Sequence, residues 1–117
     1  MTQCFPAPHT DSANSNIDLN EIFNLRKNSC FLFRVATDDM NETGIFEGDI
    51  LVVDKSIPVR HTNIVLVVMD GEFCIRSLFK RGGVCRLFFD GNQETKLPEA
   101  QEVTILGVVT ARLRQFV

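Results

Sequence analysis

The pair Asp70-Gly71 separates an apolar run, Ile64 to Met69, from a second strand-like run, Glu72 to Phe79. Asp-Gly favours the two-residue turn whose twist matches its flanking strands, so this stretch is held to a β-hairpin. Turn signals then recur: Gly82-Gly83 leads into Val84 to Phe89, and Asp90-Gly91-Asn92 turns again. Upstream, Phe31, Phe33 and Val35 alternate with Leu32, Arg34 and Ala36, a period-two pattern. Ile50 to Val53 is a continuous apolar strand. Val103 to Leu113 closes the chain as a long strand, and Gly107 inside it marks a bulge or a close backbone approach. Several strands with frequent turns predict a mainly β domain, a curled antiparallel sheet or partly open β-barrel.

Two segments precede the strands. Residues 1–16 hold Pro6, Pro8 and the stretch DSANSN, with no periodicity, and read as an extended mobile arm with an apolar tip at Cys4 and Phe5. Ile17 to Lys27 reads as a short helix, about 18–27, inside a β domain of 17–117. Asp18 is its N-cap and Glu21 follows three residues on. Ile22 and Phe23 are expected to pack inward.

At 117 residues the chain makes one domain with a real core, and no run is long and apolar enough for a membrane helix. The net charge of −3, with scattered Lys and Arg, argues against a broad phosphate-binding face. Cys4, Cys30, Cys74 and Cys85 form no CxxC pair and lie far in sequence from His9 and His61, so neither zinc nor any other cofactor is expected. The cysteines read as reduced thiols of a cytoplasmic protein, with Cys74 and Cys85 as small buried hydrophobes. Phe31, Phe33, Phe46, Phe73, Phe79, Phe88, Phe89 and Phe116 read as core. With no Trp or Tyr, and no basic face around these rings, direct nucleic-acid binding is not expected.

The motifs FPAP (Phe5 to Pro8), IDLNEI (Ile17 to Ile22), VATDDM (Val35 to Met40), GIFEGDILVVD (Gly44 to Asp54), VMDGEFCIRSL (Val68 to Leu78) and LGVVT (Leu106 to Thr110) stand in one order and spacing. In this the chain resembles the UmuD family, above all its processed form. More widely it resembles the self-cleavage domains of LexA and phage repressors, the S24 peptidase group. The resemblance covers nearly the whole chain. It implies the LexA C-terminal type of fold and a serine-lysine autoprotease, in which a desolvated, neutral lysine is general base to a serine in a G-D-S-M-like turn.

This sequence departs at both positions. Asp39 stands where the family has serine, and Arg76 where it has lysine. A carboxylate cannot form the usual ester intermediate, and an arginine is not deprotonated in a protein. The resemblance brings the two side chains together, so a bidentate ion pair in place of the catalytic hydrogen bond is expected. Replacement dyads fare poorly: Ser77 should face away from Arg76, and strand alternation separates Lys55 from Ser56. The family's cleavage bond, typically Cys-Gly before the FPxP segment, is here Cys4-Phe5. With Met1 as the natural start, the chain is expected to resemble the processed subunit from the outset.

Gly44 and Gly48 supply turn conformations, and Asp49 and Asp54 hold strand ends through local hydrogen bonds. Asp38, Asp39, Glu42, Glu47 and Asp49 make a solvated acidic rim and not a cation site. The expectation is a catalytically dead UmuD-like module of the DNA-damage (SOS) response. Its exposed apolar ends and long terminal strand favour a homodimer. By resemblance its partners are a Y-family translesion polymerase subunit and a recombinase filament. One rival is a regulatory decoy that heterodimerises with intact UmuD- or LexA-like proteins, and another is an active self-cleaving peptidase.

Overall fold

A computed structural model describes residues 16–90, 93–95 and 103–116, so the arm, including Cys4 and Phe5, lies outside the described residues. One helical turn and seven strands follow in order: α1 (Leu19–Ile22), β1 (Cys30–Arg34), β2 (Ile50–Asp54), β3 (Ile64–Met69), β4 (Glu72–Arg81), β5 (Val84–Phe89), β6 (Gln93–Glu94) and β7 (Val103–Leu113). A 3-10 turn, Asn41–Thr43, sits between β1 and β2. The strands form one antiparallel sheet in the order β1-β2-β7-β3-β4-β5-β6, open at both edges. The mainly β architecture expected from the turn pattern is therefore the observed one.

The hairpin turns follow their residues. Asp70 and Gly71 both have positive φ, 53° and 78°, and so do Gly82 and Gly83, 56° and 79°. Positive φ at both central residues is the primed turn that suits right-handed strand twist. Inside the sheet, β2 and β3 are buried on both faces, which is why ILVVD and IVLVVM lack polar alternation. Leu51, Val53, Leu66 and Ile75 pack with Val35, Met40 and Ile45 in one cluster. Val65, Val67, Met69, Leu78, Leu87 and Val108 form a second. The strand β7 joins both clusters by bulging twice: its register shifts against β3 between Leu66 and Val67, and against β2 between Val52 and Val53. Gly107 lies at the first of these shifts. A Cβ there would stand 2.9 Å from the Asp54 carbonyl oxygen, so the glycine answers to close approach.

Three expectations change. The helix is one turn and not 18–27: Asp18 does cap it, accepting from the Asn20 amide at 3.0 Å, but Asn24 already has a φ of 55°. No residue of α1 is buried and Ile22 is 55% exposed, so the segment lacks the tertiary burial that sustains short helices. The core is aliphatic, not aromatic. Phe31, Phe33 and Phe89 flank the first cluster, while Phe46, Phe73 and Phe116 are exposed. Cys85 is exposed, because β5 is exposed from Val84 to Arg86 beside its hairpin turn, and Cys74 is half-buried against the second cluster. Among the described residues no helix is long and apolar enough to cross a membrane.

Candidate functional site

After β1 the chain runs without regular secondary structure from Val35 to Asp38 and turns at Asp39 and Met40. Met40 is buried in the first cluster and anchors the turn, leaving the Asp39 side chain about half exposed. The turn is stapled from the far end of β5. Asp90 accepts from the amides of Asn41 and Glu42, each at 2.9 Å, and its own amide donates to the Asp39 carbonyl at 3.1 Å. Asp90 had signalled only a turn in the sequence; its capping role comes from 49 positions away.

Arg76 approaches from β4, where it pairs with Val65 of β3 and is buried. Its Nη1 reaches Asp39 Oδ2 at 3.4 Å. The structure thus brings together the two residues that the motifs singled out. The contact is single, however, and not the expected bidentate fork. Arg76 Nη1 also donates to the Ile75 carbonyl at 2.8 Å, and Nε donates to Thr95 Oγ1 at 3.0 Å. Its guanidinium lies 5.0 Å from the centroid of Phe89. A guanidinium used this way orients loops and holds negative charge; it accepts no proton. Ser77 pairs with Ile64, one step along the strand, and so faces away from Arg76 as strand alternation requires.

A different lysine approaches Ser56. Lys27 Nζ lies 3.2 Å from Ser56 Oγ and 3.2 Å from Asp54 Oδ2. The ammonium donates to both, and the Ser56 hydroxyl donates to Asp54 Oδ1 at 2.7 Å. Asp54 is buried, and hydrogen bonds from the Ser56 hydroxyl and amide, with Lys27 beside it, hold its carboxyl well below the usual carboxylate range. So acidic a carboxyl is a poor base for a hydroxyl. The cluster ties the turn before β1 to the end of β2. Beside it, burial and then Asp54 raise the Cys30 thiol.

The loop of GIFEGD is fastened in another way. Gly44 and Gly48 have φ of 91° and 92°, which meets the turn role read from the sequence. Asp49 accepts locally from the Phe46 amide at 2.9 Å, but it is no member of a solvated rim. It is 1% exposed, and Arg114 grips it through Nε to Oδ1 and Nη2 to Oδ2, both 2.7 Å. The Arg114 bond is the main reason its carboxyl is lowered to about 2, against the opposing effect of burial. Arg114 also lies over the Phe46 ring at 4.6 Å, and both Arg112 and Arg114 donate to the Gly44 carbonyl. Nothing local in the sequence marked Arg114. Among the described residues, no three His, Cys, Asp or Glu side chains converge as metal ligands would.

The sequence is similar to those of known proteins. Residues 1–110 match the Peptidase S24-like family. Protein ImpA of Salmonella typhimurium is 34% identical over 106 residues, covering 91% of this chain and 73% of its own. Protein SamA of Salmonella typhimurium strain LT2 is 36% identical over 107 residues, 92% of this chain and 75% of its own. Protein MucA of Escherichia coli is 29% identical over 111 residues, 93% of this chain and 76% of its own. With the motif order, the open β sheet and the family match in agreement, the chain belongs to the S24 peptidase-like family, as a UmuD-like member of it.

Proposed function

We propose that this protein is a non-catalytic accessory subunit of the bacterial SOS response, resembling processed UmuD. It acts as a homodimer through contacts with a translesion polymerase and a recombinase filament. The observation that carries the reading is the Arg76–Asp39 contact at the two positions where the resemblance expects a lysine base and a serine nucleophile. A guanidinium that stays protonated cannot take the part of the neutral lysine base, and a carboxylate cannot form the ester that a serine hydroxyl would. The family scaffold remains: buried Asp49 and Asp54 still lock the ends of β2, and Met40 still anchors the turn. A fold kept without its chemistry is expected of a protein that works by binding.

Two experiments test the reading. A chain extended with a family-type arm is incubated with an activated recombinase filament, beside an Asp39→Ser, Arg76→Lys variant as positive control. The natural residues should leave the arm intact; cleavage by them would establish an active peptidase. Affinity capture with the chain as bait should retain a Y-family polymerase subunit. Retention of an intact S24 repressor or UmuD-like subunit instead would favour the decoy.

A further inference from the structure

Strands β4 and β5 pair with Ser77 opposite Phe88, Phe79 opposite Arg86 and Arg81 opposite Val84. Residues directly opposite in an antiparallel pair share a face. The intervening pair, Leu78 and Leu87, is buried in the second cluster, so Phe79, Arg81, Val84, Arg86 and Phe88 form the outer face of the hairpin. His61 closes one side. Its Nδ1 accepts from the Lys80 amide at 2.9 Å, which leaves Nε2 as the protonated nitrogen, and its ring lies 5.5 Å from Phe79. Phe79 and Phe88 meet edge to face at 4.7 Å. Together these six residues line a groove of about 570 Å³.

We propose that this groove binds single-stranded nucleic acid, with bases against Phe79 and Phe88 and phosphates on Arg81 and Arg86. The proposal goes beyond the accessory reading and does not depend on it. The sequence argued against base stacking because no basic face surrounded the rings; cross-strand pairing supplies one locally. Within a chain of net charge −3, two guanidiniums share this groove with two phenyl rings. Among the described residues the one acidic partner is Glu94, 3.8 Å from an Arg86 that stays largely exposed, and Arg81 makes no ion pair. Alternating ring and guanidinium suits a ligand that alternates planar base and phosphate. An acidic peptide would match the charges and leave the ring faces unused. A duplex keeps its base faces inside the stack.

The test is an amide-shift titration of the isotopically labelled chain with an unlabelled oligodeoxythymidylate of about 12 nucleotides in about 50 mM salt. Saturable shifts are expected at His61 and along residues 79–88. Phe79→Leu, which keeps an apolar side chain and removes the ring, should weaken binding about tenfold. The log-log salt slope should be about −1.4 for two phosphate contacts and fall to about −0.7 in Arg81→Gln. Arg81 and Arg86 are exposed, so the variant with both changed to Gln carries the test even if Phe79→Leu fails to fold. Absence of saturable shifts, or shifts confined to another face, overturns the proposal. So does equally tight binding of an abasic oligomer or of polyglutamate, which would show a simple anion patch or an acidic-peptide site.

Discussion

Arg76 touches Asp39 through one Nη1–Oδ2 contact of 3.4 Å, with the arginine buried and the carboxylate half exposed. The asymmetry in burial sets what each residue is worth. Arg76 is held mainly by Thr95, the Ile75 carbonyl and the Phe89 ring, and the ion pair adds to a site already made.

Truncating the two residues should therefore have unequal effects. Asp39→Ala removes a partner that water can replace and should cost less than about 1 kcal/mol. Arg76→Ala removes a buried stem and the donors to Thr95 and Ile75, and should cost about 2–3 kcal/mol. Urea unfolding of both singles and the double variant measures the coupling. A coupling above about 2 kcal/mol would mean that the pair is stronger than its single long contact allows.

Asp49 presents the opposite case, a buried carboxylate gripped by two 2.7 Å bonds. Asp49→Asn keeps the size and the acceptor for the Phe46 amide but loses the charge that Arg114 holds. It should destabilise by about 2 kcal/mol and loosen the end of β7 from the Gly44–Asp49 loop. Hydrogen exchange at residues 44–49 and 112–114 should rise together. Exchange confined to one of the two segments would show that they are not tied through this pair.

The same carboxyl makes stability depend on acid. Folded, Asp49 titrates near 2, chiefly because of Arg114, whereas an unfolded aspartate titrates near about 3.9. Between those values the unfolded chain binds more protons, so stability rises with pH. The contribution should be complete above about pH 5 and disappear as pH falls through about 4 towards 2. Asp54, lowered by Ser56 and Lys27, acts in the same direction. A series of urea midpoints from neutral to acid should fall less steeply in Asp49→Asn than in the natural chain; parallel curves would disprove the assignment.

Gly107 tests the packing of β7 on β2. An added methyl would lie 2.8 Å from Val53 Cγ1 and 2.9 Å from the Asp54 carbonyl oxygen, and the carbonyl belongs to a strand that cannot yield cheaply. Gly107→Ala should cost about 1–3 kcal/mol and lower the thermal midpoint. An unchanged midpoint would mean that the two strands stand further apart.

The bounds of β3, β5 and β7 follow the runs read from the sequence, because strand period and turn chemistry are written in adjacent residues. The helix was legible only at its cap. Asp18 acts locally, but the continuation to Lys27 needed a surface to pack on, and α1 has no buried residue. At the candidate site, Asp39 and Arg76 were named from motif positions. Their actual meeting, and the roles of Thr95, Phe89 and Asp90, depend on strands and turns that come together only in the folded sheet. Arg114 and Asp49 lie 65 positions apart, and no local pattern links them. The rings and guanidiniums of the β4–β5 groove looked scattered along the chain until register set them on one face. What the sequence determined by itself was the set of strands, the turns between them and the family motifs. Only tertiary structure decided which charges are buried and paired, since pairing across strands depends on the register of the whole sheet and not on neighbours in sequence.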